Sequence, residues 1–212
     1  MQTNNKIAVI GGTGKAGKYL VRRLLDQGFS LRLLVRNPET CPIHHPLAEI
    51  TEGDVRNLEA VRAVTEGCHA VLSTLGQPKG QGPVFSAATT NVIRAMTERG
   101  LKRYILITGL NVDTLPDKKN PKTAAATEWM KINYPLTTAD KQREWELLGQ
   151  SDLDWTLVRL PMIELTDRTS QYKTSLEDCP GESISSTDLA DFLIGQLTDE
   201  TFIKQAPFVA SV

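Results

Sequence analysis

Four glycines fall within residues 11–17 of the segment KIAVIGGTGKAGKYL, where an apolar run ends and a helical pattern begins. Glycine is costly inside a helix or strand, so this density marks backbone that must come close to something. Gly12, Gly14 and Gly17 fit G-x-G-x-x-G; Gly11, Gly14 and Gly17 fit the related G-x-x-G-x-x-G. In either register the early glycines permit a tight turn. Gly14 lets backbone approach a pyrophosphate, and Gly17 lets the following helix lie close on the sheet. Thr13, Lys15 and Ala16 complete the turn. The helix beyond it begins with unpaired N–H groups and a positive dipole end, both suited to phosphate. The pattern predicts a bound dinucleotide; a glycine-rich turn with no ligand is the alternative.

Which dinucleotide depends on the end of the second strand, where an NAD site usually carries a carboxylate about twenty residues on. Here the strand ends LLVRNP, with Arg36 and no acid. A guanidinium fits a 2′-phosphate bidentately, so NADP (as NADPH) is favoured over a solvated surface arginine. Asp54 and Val55 follow the third strand, within reach of an adenine. Thr74, Leu75 and Gly76 close the fourth, beside the crevice where ligands bind in open α/β sheets. Ordinary strand-to-loop punctuation is the alternative at both places. Lys141 either orients the nicotinamide ribose hydroxyls or is a solvated lysine on a helix face with Arg143, Glu144 and Glu146.

These residues need a frame to converge. KIAVI, residues 30–36, 48–54, 69–76, 103–109 and 154–160 read as strands. Residues 15–27, 57–67, 84–100, 139–151 and 186–199 read as helices, and 111–139 as an irregular stretch broken by Pro116, Pro121 and Pro135. Strands alternating with helices predict α/β architecture: a doubly wound parallel sheet, the Rossmann fold. Residues 1–212 then form one dinucleotide-binding domain, with a small C-terminal lobe after about residue 161. The loop GQPKGQGP (76–83), opening with Gln77, is on the ligand side and suits a mobile flap or a polar connection. Trp129, Met130, Met162 and Ile163 could line an apolar pocket for a flat ring, against the alternative of packing in loops. Among these, Gln77, Trp129 and Met162 are the candidate acceptor contacts.

Composition narrows the function. The net charge is −1 with 23% charged residues, which gives no electrostatic case for nucleic acid or an anionic membrane. The opening MQTNNK is polar and no apolar run is long enough to span a bilayer. Cys41, Cys68 and Cys179 are scattered, without disulfide or zinc spacing. Cys41 with His44 and His45 also lacks a second ligand pair, so no metal is expected. The expected setting is a reducing cytoplasm, with the chain as a monomer or small homo-oligomer.

IGGTGKAGKYL, LVRNP, EGDV, LSTLG and SDLDWTLVRLP together resemble the atypical short-chain dehydrogenase/reductase group. Within it the chain resembles the NAD(P)H-binding flavin reductase and biliverdin-IXβ reductase type, neighbours of the NmrA-like proteins. The resemblance implies NADP on the Gly11–Gly17 turn and Arg36 at the 2′-phosphate. It also implies Asp54 and Val55 near adenine, Leu75 and Gly76 near the adenosine end or pyrophosphate, and the nicotinamide above Thr108. Lys141 occupies the family lysine position, but Thr137 stands four residues earlier where a tyrosine is usual, and Gly109 stands where a serine is usual. Thr108 and Lys141 are thus the remaining candidate catalytic groups. Hydride transfer to a flavin or similar planar acceptor does not need the missing relay. A non-catalytic NADP-binding regulator of the NmrA-like kind is the alternative, and a nucleotide-sugar epimerase or dehydratase a third.

Overall fold

The computed structural model describes residues 6–77 and 80–212. The first half runs β1 (Lys6–Ile10), α1 (Gly17–Asp26), β2 (Ser30–Val35), β3 (Ala48–Glu52), α2 (Leu58–Thr65), β4 (Ala70–Ser73), α3 (Phe85–Glu98) and β5 (Arg103–Gly109). The second half runs α4 (Pro121–Asn133), α5 (Pro135–Gly149), β6 (Asp154–Leu160), β7 (Met162–Glu164), β8 (Tyr172–Ser175), β9 (Ser183–Ser185), α6 (Ser186–Gly195) and β10 (Phe208–Ser211).

Eight strands form one sheet in the order β3-β2-β1-β4-β5-β6-β10-β8. All its pairings are parallel except β10 with β8. This is a Rossmann-like α/β fold. The strand order reverses between β1 and β4, and that reversal opens the crevice for a ligand.

Both faces are buried, so the strands carry two interleaved apolar rows. Ile7, Val9, Leu31, Leu33 and Ile105 pack with Leu20 and Leu24 of α1 and Leu189 and Leu193 of α6. Ala8, Ile10, Val71, Tyr104 and Leu106 pack against Val61, Val64, Val92, Met96 and Leu148 from α2, α3 and α5. Period-two alternation along each strand therefore divides one apolar set between two helix layers.

Two parts differ from the sequence expectation. The stretch 111–139 contains helix α4 and the first turn of α5. Pro121 and Pro135 each occupy the first position of a helix, where the missing N–H is no loss. Asn120 caps α4 by accepting from the N–H groups of Lys122 and Thr123. The C-terminal segment after residue 161 is also integrated with the main body. Only β7 and β9 pair apart from the main sheet; β10 and β8 extend it, and α6 packs on α1.

Arg159 anchors that integration from the carboxyl end of β6. It is fully buried, with its guanidinium 3.6 Å from the Phe208 ring centroid. It donates to the carbonyls of Ala206 at 2.8 Å and Leu176 at 3.0 Å, and to Asp117 at 2.5 Å. Charge-assisted bonds of this kind suit a buried cation.

Candidate functional site

A cleft of about 540 Å³ opens at the carboxyl ends of β1 and β4. Its floor is the glycine turn. Gly11 has φ +79, a left-handed conformation that L side chains rarely adopt. Its carbonyl oxygen is the centre of the turn: it accepts from the Gly14 N–H at 3.0 Å and the Thr74 hydroxyl at 3.2 Å. A Cβ on Gly17 would collide with that same oxygen and stand 2.7 Å from Thr74 Oγ1. Gly12 is closed off differently, since its Cβ would lie 2.9 Å from a Val21 methyl. The register Gly11–Gly14–Gly17 thus describes the turn, and Gly12 serves packing beneath it.

Helix α1 starts with neither a side-chain cap nor an acidic residue in its first turn. The N–H groups of Thr13, Lys15 and Ala16 donate to no backbone acceptor among the described residues, and all three residues line the cleft. Uncapped donors at a helix N-terminus fit an anion.

Arg36 lines the cleft at the end of β2, exposed and without an ion pair among the described residues. Asp54 and Val55 line the same end. Asp54 Oδ1 accepts from the Arg56 N–H at 2.8 Å, which fixes the turn after β3. Arg56 is a second cleft cation that sequence reasoning missed. It lies 3.8 Å from Asp54 and donates to Gln81 Oε1 at 2.8 Å.

Thr74, Leu75, Gly76 and Gln77 form the opposite lip. The Thr74 hydroxyl is occupied in holding the glycine turn. Nothing lies within 4 Å of a Cβ built on Gly76, so packing does not require glycine there. Gln77 Nε2 donates to the carbonyls of Gln81 and Gly82 at 2.9 and 3.0 Å. The flap expectation for 76–83 includes residues 78 and 79, which lie outside the described residues.

The other candidates stand outside the cleft lining. Trp129 is on α4, 55% exposed, with its ring edge-on to Tyr134. It is a surface residue of a helix, not part of an irregular loop. Tyr134 is spent on that contact and bridges α4 and α5. Met162 is 72% exposed, and its neighbour Ile163 faces the cleft instead, as alternation along β7 requires. Ile107 from β5 lines the cleft beside it.

Thr108 is buried, and its hydroxyl has no hydrogen-bond partner among the described residues. Lys141 is mostly buried, with its ammonium 4.9 Å from the Phe85 ring centroid. Burial pushes Lys141 below the usual lysine range, while the nearby Glu144 charge opposes the shift. Lys141 is therefore not a solvated member of a charged helix face. Arg143 and Glu146 do form that face, paired at 2.9 Å on the surface. Glu144 is 3% exposed and points inward.

The glycine at 109 also has a steric reason. A Cβ there would collide with Asn111 Oδ1 and lie 3.3 Å from Lys141 Nζ. Asn111 is buried, donating to the Thr138 hydroxyl at 3.0 Å, and fills the space a serine would need.

A glycine cradle at a strand reversal, uncapped donors and an unpaired cation at the second strand end define a dinucleotide-binding protein. The chain belongs to the NAD(P)H-binding family, which matches residues 11–200, and its cofactor is NAD(P)H. The photosystem II assembly factor Ycf39 of Synechocystis is 25% identical over 97% of this chain and 63% of its own length. Cinnamoyl-CoA reductase 2 of Medicago truncatula is 25% identical over 75% of this chain and 54% of its own. The chain thus spans roughly half to two thirds of these two relatives. Among solved structures, a Veillonella parvula short-chain dehydrogenase/reductase in complex with NADP superposes with TM-score 0.82 at 17% identity, over 98% of this chain and 94% of that one. A putative NAD-dependent epimerase/dehydratase from Bacillus halodurans gives TM-score 0.79 at 19% identity, over 98% and 94%. The two solved structures show that the chain shares their fold. Among the described residues no helix is long and apolar enough to cross a membrane.

Proposed function

We propose that the protein is an NADPH-dependent reductase that passes hydride to a flavin or a similar planar acceptor, close to the flavin reductase and biliverdin-IXβ reductase type. The observation that carries this reading is the contrast between the cleft and the end of β5. The cleft has a complete phosphate cradle with Arg36 free of ion pairs among the described residues; beyond its lining, at the end of β5, Lys141 lies with Thr137 where the relay tyrosine is usual and Asn111 fills the space a serine would need.

When bound, NADPH supplies the hydride. The chain's own part is binding and orientation. The N–H groups of Thr13, Lys15 and Ala16 take the pyrophosphate, and Arg36 takes the 2′-phosphate. Val55 and Asp54 flank the adenine. Lys141 would orient the nicotinamide ribose from behind the cleft lining, and the nicotinamide would face the end of β5 at Thr108. Ile107, Ile163 and Val84 give apolar walls that exclude water and accept a flat ring. The acceptor's proton comes from solvent, so no side chain has to act as an essential acid.

A second reading is a non-catalytic NADP-binding regulator. It is favoured by the likeness to an assembly factor across 97% of this chain. NADPH oxidation assayed with FMN, FAD, riboflavin and biliverdin separates the two. Turnover with a flavin supports the reductase. Tight NADPH binding without turnover of any acceptor supports the regulator.

A further inference from the structure

Between α3 and α5, behind the end of β5, the protein buries a polar cluster that nucleotide binding does not require. Glu144 Oε1 accepts the Thr89 hydroxyl at 2.8 Å, and Thr89 Oγ1 lies 3.5 Å from the Tyr104 hydroxyl. Glu144 Oε2 is buried with no hydrogen-bond partner among the described residues. One helical turn away, Lys141 passes over Phe85 to within 3.3 Å of where a Gly109 Cβ would stand. Phe85 follows Val84, which lines the cleft. Lys141 makes no salt bridge among the described residues, so it touches no carboxylate directly.

A core glutamate held on one oxygen is a costly substitute for an apolar residue. Lys141 stands three residues back on the same side of α5, and its charge and that of Glu144 act on each other. In a weakly screened interior, a charge acts across such a gap without contact. We infer that Glu144 is a positioning residue of the site: its buried carboxylate keeps the Lys141 ammonium charged at the end of β5, where the cofactor's nicotinamide half would lie. The inference rests on the reading that this half lies against β5.

Glu144 is the carboxylate whose charge acts on Lys141 among the described residues. On α5, Asp140 is committed to the N-terminus of α3, accepting from the Phe85 N–H at 2.7 Å and from the Ser86 N–H and hydroxyl. From α3 comes the Thr89 hydroxyl, and from β5 the Tyr104 phenol, held neutral by burial. Burial pushes Glu144 up to about 7, against the pull of Thr89 and Lys141. Above that pH Glu144 is ionised, and its charge opposes the loss of the Lys141 proton.

Glu144→Gln keeps the shape and an acceptor for Thr89 but removes the charge. NADPH affinity of the full chain, measured by fluorescence titration across the alkaline range, tests the idea. The wild type loses affinity as Lys141 deprotonates, and Lys141→Met lacks that limb. Glu144→Gln moves the limb to lower pH by about one unit. Glu144→Asp restores it in part, and Thr89→Val shifts it in the same direction as Glu144→Gln by a smaller step. Coincident limbs in wild type and Glu144→Gln overturn the inference, as does an unchanged limb in Lys141→Met. A 13C NMR titration of the lysine side chains, assigned through Lys141→Met, reads the Lys141 shift without cofactor. Identical Lys141 titrations in wild type and Glu144→Gln there also overturn it. If Glu144→Gln does not fold, Glu144→Asp and Thr89→Val decide by the same readouts. A protein showing the shift but reducing no flavin keeps this inference and loses the reductase reading.

Discussion

At the β1–α1 end of the cleft, Gly11, Gly14 and Gly17 pack around one carbonyl oxygen, with every close approach set by sterics. At the β5–α5 end of the sheet, behind the cleft lining, Lys141, Glu144 and Thr108 are held among apolar groups, with Thr108 Oγ1 and Glu144 Oε2 unpaired among the described residues. The first end is specified by what cannot fit, the second by charges whose states depend on each other. A ligand recognised mainly by phosphate suits the first arrangement. A reacting ring that needs orientation in a dry site suits the second.

The largest expected effect comes from filling the first end. Gly17→Ala drives a methyl into backbone that cannot move aside. It should destabilise the fold by about 3 kcal/mol and weaken NADPH binding roughly 100-fold. Thermal denaturation and cofactor titration check both; a fully stable, tightly binding Gly17→Ala protein would break the steric account. Gly76→Ala is the control, because nothing lies within 4 Å of its Cβ, and its stability should match wild type.

Arg36→Ala should come next. It should weaken NADPH binding by about 1–3 kcal/mol and leave NADH binding nearly unchanged. Equal affinity of the wild type for both cofactors would refute the 2′-phosphate assignment.

Buried acidity at the second end predicts a pH-dependent stability of similar or smaller size. The Glu144 carboxyl rises from its ordinary 4.5 to about 7 because it is buried. The folded state thus holds this proton more tightly than the unfolded state. That stabilisation is complete below about 4.5 and is lost as pH rises through about 7. Glu144→Gln removes the dependence. Between about pH 5 and about pH 8 its stability should rise relative to wild type by on the order of 1–3 kcal/mol, read by urea denaturation. A pH-independent difference would mean that Glu144 is ionised throughout.

Smaller still are the kinetic effects on the proposed reaction. Thr108→Ala and Lys141→Ala should each lower turnover with FMN by about tenfold or less, short of the roughly 10²–10⁴-fold loss expected for an essential acid. Steady-state kinetics at saturating NADPH measure this. Abolished turnover in Lys141→Ala with intact cofactor binding would reveal a proton relay at the β5–α5 end. Met162→Ala, at an exposed side chain, should leave stability unchanged and alter only acceptor KM, if anything.

The same contrast governs what could be read from the chain. The glycine turn was legible because its constraints are local: spacing, a preceding strand and a following helix lie within one βα unit. Arg36 was legible for the same reason, at the end of the next strand. Helix α4 was hidden because prolines at 121 and 135 read as interruptions, while both begin helices. Strands β7 to β10 were missed because they are short, three or four residues each, and gain their partners from distant parts of the chain. Arg56, Asn111 and the role of Glu144 were missed because each matters through a neighbour remote in sequence, whereas Ile163, named with Met162 as a pocket candidate, does line the cleft.

By itself, then, the sequence determined the alternating α/β order, the parallel sheet, the glycine turn and a cation, Arg36, at the end of the second strand. Each of those follows from local periodicity, backbone freedom or a charge at a strand terminus. Only the tertiary structure decided that Lys141 and Glu144 face inward while Arg143 and Glu146 face water. All four share one helix with scarcely any apolar asymmetry, and which of its sides is buried is set by the packing of α3, α4 and β5 against it. Burial then does what the sequence cannot encode locally: by removing water it turns an ordinary acid and an ordinary lysine into a pair whose charges depend on each other.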